Sequence, residues 1–97
     1  MLELITILIS NMSAHFVTLT DLPLNAAAQV EAVQDLHAND VIARRLRELG
    51  FVAGEEVRIV ARGPLGAEPL LVQVGFTRFA LRRSEAERIR IQRERAA

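Results

Sequence analysis

Residues 40–66, DVIARRLRELGFVAGEEVRIVARGPLG, decide the fold. They read as a capped helix, a glycine stop, a tight turn, one strong strand and a Pro-Gly hairpin. Asp40 can accept hydrogen bonds from the free N–H groups of the first helical turn, and its charge suits that end of the helix dipole. Ile42, Leu46 and Leu49 fall at i, i+4 and i+7, so the spacing predicts one apolar face. Gly50 stands where helices commonly end in a left-handed residue. Val52-Ala53-Gly54 is then a turn, and Val57, Ile59 and Ala61 alternate along a strand over 55–62.

Working outward, Gly63-Pro64-Leu65-Gly66 signals a reversal, and Pro69 opens the next strand, where a missing N–H is tolerated. Leu70, Val72 and Val74 face one side of that strand. Gly75-Phe76-Thr77 predicts a second reversal, after which Phe79 and Leu81 continue with period two. Ser84-Glu85-Ala86-Glu87 fits a capping box with Ser84 at the N-cap, hence one helical turn. Ile89 and Ile91 alternate with Arg88, Arg90 and Gln92 in a last short strand. Upstream, residues 29–36 form a strand in which Val30 and Val33 break the alternation, predicting a bulge or an early end. Leu19, Leu22 and Leu24 plug the core from one end, and Asn25 tolerates the positive φ of a turn. The sum is mainly β with one α-helix. Short strands with tight turns predict a small five-stranded barrel whose closure leaves no exposed edge.

Residues 1–9, MLELITILI, are nearly all apolar, yet far shorter than the ~20 residues of a membrane span. Glu3 replaces the basic start of a secretory signal. Residues 1–11 read as an N-terminal extension outside the core fold, with a second reading as a β-prone segment that adds to a sheet edge. Residues 12–92 form the domain, and 93–97 a polar tail.

The 97 residues carry no net formal charge and no Cys. Zero charge supplies no field to recruit nucleic acid. Absent Cys excludes disulfides, thiol catalysis and thiolate metal sites. No nucleophile elbow, zinc-protease motif, phosphate loop or dinucleotide fingerprint is present, so the chain reads as no enzyme and no cofactor is implied. Asp35, His37 and Asp40 form a loose cluster able to supply half of a nitrogen/oxygen metal site. The competing reading, that Asp40 caps the helix and His37 sits in water, is preferred because a closed site needs further ligands.

The partner-binding candidates are apolar residues at turns and arginines beside them. Leu65 sits at the Pro-Gly hairpin, Phe76 in the next reversal, and Phe51 just after the helix stop; large apolar residues at loop tips often mark partner contact. Arg45 on the helix and Arg82 near the last hairpin form the rim.

Arg45-Leu46-Arg47-Glu48-Leu49-Gly50-Phe51, Gly54, Gly63-Pro64-Leu65-Gly66, Gly75, Ala80-Leu81-Arg82 and Ala86 occur in the order and spacing of a known pattern. The chain resembles the ferrous-iron transport protein A family, FeoA, over about residues 18–92. It departs where Ala53 replaces a frequent Pro, where Asn25 replaces a frequent Gly, and where Ala67 precedes the acidic Glu68. The resemblance implies a small SH3-like barrel in the cytoplasm, without the aromatic groove that grips Pro-rich peptides. It implies an accessory or regulatory protein of ferrous iron uptake. The implied partner is the cytosolic GTP-binding domain of the inner-membrane transporter FeoB. The membrane is met only through that partner, and no nucleic acid is bound. An arginine lent to GTP hydrolysis, self-association through residues 2–9, and an iron-responsive module related to the C-terminal domains of iron-dependent repressors are the other readings.

Overall fold

The computed structural model describes residues 18–66 and 68–93. The readings of residues 1–11 and of the tail beyond residue 93 lie outside them. Among the described residues five antiparallel strands form one sheet: β1 Ala28–Val33, β2 Glu56–Leu65, β3 Glu68–Val74, β4 Thr77–Leu81 and β5 Ile89–Arg93. Their order is β4-β3-β2-β1-β5. Helix α1 (Val41–Leu49) joins β1 to β2, and a four-residue helix, α2 (Arg83–Ala86), joins β4 to β5. Leu19–Asp21 is a 3-10 turn at the entrance.

The sheet curls around one core but does not close. No ladder joins β4 to β5, so the expected edge-free barrel is an open one. The connection between these strands explains this. Its helical turn buries Ala86 and packs on β3 and the entrance turn, and the chain then joins β1 as β5 instead of running back along β4.

Helix α1 starts and stops where its sequence dictates. The Asp40 carboxylate accepts from the Ala43 N–H at 3.1 Å. Gly50 takes a left-handed φ of 115°, a conformation that costs other residues a Cβ clash. Phe51 N–H then bonds back to the Leu46 carbonyl at 3.2 Å, folding the chain over the helix. The buried face differs from the expected one. Ala43 and Leu46 are interior, Leu49 is half-buried, and Ile42 is exposed. Ala43 and Leu46 join the core cluster, and Arg47, on the same side as Ala43 but exposed, bonds the Val33 carbonyl at the end of β1 at 2.7 Å.

β1 ends early, at Val33, and its pairing with β5 shifts register between Val30 and Ala32, the predicted bulge. Asn25 adopts a φ of 65°. Leu19 and Leu22 plug the core, whereas Leu24 faces solvent. In β2, Val57 and Ile59 are buried but Ala61 is not. One extra residue, Val60, slips the register against β3 between Ile59 and Ala61 and turns Ala61 outward.

The hairpin also turns later than the sequence suggests. β2 runs on through Gly63 and Pro64 to Leu65, which pairs with Glu68, so the strand ends later than the Pro-Gly signal suggests. Gly63 is required here for space, since a Cβ would fall on the Glu68 carbonyl. The second reversal is the expected one: Val74 pairs with Thr77 across Gly75-Phe76, with Gly75 at a φ of 56°. The α2 cap moves two residues upstream. Arg82 rather than Ser84 is its N-cap, and the Glu85 carboxylate accepts the Arg82 N–H at 2.7 Å.

Candidate functional site

The core consumes one of the expected contact residues. Phe51 is 1% exposed, packed with its ring centroid 5.9 Å from that of Phe79. The backbone bond from Phe51 to Leu46 aims the ring under the helix, so its place is interior rather than interfacial. Leu65 and Phe76 remain outside, at 82% and 106% exposure, but not together. They cap opposite ends of β3, about 20 Å apart at the rise of a strand.

Each end has its own neighbours. Phe76 stands beside the turn after α1: Gly75 N–H bonds the Glu56 carbonyl, and Glu55 N–H bonds that of exposed Val52. Two hydrogen-bonded turns therefore present Val52 and Phe76 on one rim. At the far end Leu65 pairs with Glu68, whose carboxylate accepts the N–H of Arg83, so Leu65 lies toward Arg82.

Arg45 belongs to a third place, a groove of about 260 Å³ between α1 and β4 lined by Ile42, Leu49, Phe79, Ala80 and Glu85 among others. Neither Arg45 nor Arg82 is held in an ion pair among the described residues.

The acidic cluster before the helix is drawn into the fold. Asp35 pairs with Arg47 at 3.1 Å. Asp40 is buried: its carboxylate accepts from Arg88 Nε at 2.8 Å, Leu36 N–H at 3.0 Å and Ala43 N–H at 3.1 Å. The hydrogen bond from Arg88 holds this carboxyl well below the usual carboxylate range, against the opposing cost of burial, with the two backbone donors helping. Arg88 is fixed in turn through the Ser84 carbonyl at 2.7 Å. His37 stays in solvent beside Asp40, its Nε2 3.9 Å from a carboxylate oxygen. With Asp35 and Asp40 committed to arginines, this cluster offers no open cage. Among the described residues no three His, Cys, Asp or Glu side chains gather as a metal site needs.

The Asp40–Arg88 pair was invisible to spacing, since its partners lie 48 residues apart. The groove did leave a trace: Ile42 and Phe79 are apolar residues that the core does not fully absorb.

The FeoA domain model matches residues 17–93. The chain belongs to the FeoA family. Its members are non-catalytic accessory proteins of ferrous-iron transport, with an SH3-like fold. The solved structure of *Stenotrophomonas maltophilia* FeoA with zinc, put forward as a ferrous iron transport activating factor, is 74% identical. The match covers 78% of this chain and 89% of that one, with a TM-score of 0.73. FeoA from *Chlorobium tepidum* is 28% identical over 84% of this chain and 73% of that one, TM-score 0.71. Iron(II) transport protein A from *Clostridium thermocellum* is 28% identical over 78% and 44%, TM-score 0.66. No curated protein matches this FeoA-family chain. Among its described residues no helix is long and apolar enough to cross a membrane.

Proposed function

We propose that this FeoA-family protein works in the cytoplasm, at the inner face of the inner membrane, by docking on the cytosolic GTP-binding domain of the ferrous-iron transporter FeoB. The observation that carries the reading is Phe76. A fully exposed phenylalanine on a two-residue hairpin does nothing for the fold and costs solubility, which is the signature of a contact residue. Val52 on the adjoining turn enlarges the apolar patch. Leu65 and Arg82 form a separate end of the molecule, so a compact interface takes Phe76 or Leu65, and Phe76 is the stronger anchor as the larger, aromatic side chain.

The test is titration of the isotope-labelled protein with the purified GTP-binding domain, nucleotide-free and then bound to a GTP analogue. The Gly75–Thr77 and Val52 resonances are expected to shift. Burial of a phenylalanine anchor contributes about 2 kcal/mol or more, so Phe76→Ser weakens binding about 30-fold. Its melting temperature stays at the wild-type value. Unchanged affinity in Phe76→Ser would remove the anchor, and an absence of shifts in both nucleotide states would refute docking on this domain.

A further inference from the structure

Among the described residues β4 ends the sheet, and its outer edge is open. In a two-residue hairpin the flanking pair, Val74 and Thr77, is hydrogen-bonded. Alternation then bonds Val72 to Phe79 and Leu70 to Leu81. Arg78 and Ala80 therefore turn their N–H and C=O groups away from β3, and no described residue takes them. Beside this edge lies the groove under α1, with Ile42, Leu49 and Phe79 in its wall and Arg45 in its lining. An unpaired edge next to a groove that mixes apolar walls with charged Arg45 and Glu85 is a template for one more strand.

The chain itself carries a segment that fits. Residues 2–9, LELITILI, have no charge except Glu3 and contain four β-branched residues. At strand period, Glu3, Ile5, Ile7 and Ile9 share one side. That side offers isoleucines to the Ile42, Leu49 and Phe79 walls of the groove and a carboxylate to Arg45. The tether also suits. The described chain begins at Thr18, and the 3-10 turn after it packs on α2, whose Glu85 lines the groove. Residues 10–17 span at most about 26 Å when extended, enough to return from there.

We infer that residues 2–9 of the same chain add to β4 as a sixth strand, placing Ile5 and Ile7 over the α1–β4 groove and Glu3 toward Arg45. Pairing satisfies the Arg78 and Ala80 backbone groups and covers an apolar segment that would otherwise associate between molecules. The inference stands apart from docking on the transporter, because it concerns the chain alone.

Amide hydrogen exchange followed by NMR on the full-length protein tests it. The Arg78 and Ala80 amides should exchange at least tenfold more slowly in the wild type than in Ile7→Lys, while Val72 and Leu81 amides are unaffected. A chain starting at Met12 retains every described core residue. It should show the fast rates and recover the slow ones when the synthetic peptide of residues 1–11 is added. Sedimentation should give a monomer throughout. Equal exchange in wild type and Ile7→Lys overturns the proposal. So does protection that fades on dilution together with a dimer mass, since the strand would then come from a second copy.

Discussion

Truncating Phe51 separates a core residue from a contact residue. The ring is almost wholly buried and stacked at a tilt of 50° against Phe79. Removing a buried phenyl group loses its transfer free energy and leaves a cavity, together about 3–5 kcal/mol for Phe→Ala. A domain of this size has a total stability of about 4–11 kcal/mol. Phe51→Ala therefore forfeits about a quarter of it or more. At about 4–8 °C per kcal/mol, the melting temperature falls by at least about 12 °C. Phe51→Leu keeps most of the volume and is expected to cost about 1 kcal/mol. Urea and thermal unfolding, followed by circular dichroism, measure both variants. Binding to the transporter domain, corrected for the folded fraction, should be unchanged in Phe51→Leu. A Phe51→Ala protein that melted with the wild type yet lost its partner would refute the reasoning, because the ring would then be spending its burial in the complex.

Two further substitutions probe how the elements are fastened. Asp40 has a native pKa below its unfolded value of about 4, so the unfolded chain takes up the proton first. The contribution of the Arg88 pair is whole above about pH 4 and is withdrawn as the pH falls toward the native value. Asp40→Asn should thus unfold at lower urea than the wild type at pH 7, with the gap narrowing below pH 4; a gap independent of pH would contradict the ionic role. At Gly63 a methyl group would meet the Glu68 carbonyl and, at 2.7 Å, Pro69 Cδ. Gly63→Ala should lose about 1–3 kcal/mol by overpacking, and an unaltered urea midpoint would show that the β2–β3 hairpin can move aside.

Local chemistry was legible where neighbours in sequence are neighbours in space. The Asp40 cap, the Gly50 stop and the Gly75-Phe76 reversal each depend on residues within a few positions of one another. So does the period-two pattern of the strand over 68–74. Misreadings cluster where a distant partner chooses between local options. Leu65 carries the turn signal of its tetrad, yet it remains in a strand because Glu68 is there to pair with it. Ser84 is a good cap by type, but Arg82 occupies the cap because Glu85 reaches its N–H first.

The candidate site divides in the same way. By itself the sequence determined the family, the strand and helix content, and that Phe76 sits on a turn, since motif order and period two are properties of the chain. Only the tertiary structure decided that Phe51 is interior, that Leu65 and Phe76 point to opposite ends, and that Asp40 is paired with Arg88. A one-residue slip in β2 turned Ala61 out, and packing on the core buried Ala43 and Leu46 of α1 while Ile42 stayed exposed. Such choices turn on which groups meet across the fold, and burial and charge pairing acquire values only when those groups are in contact.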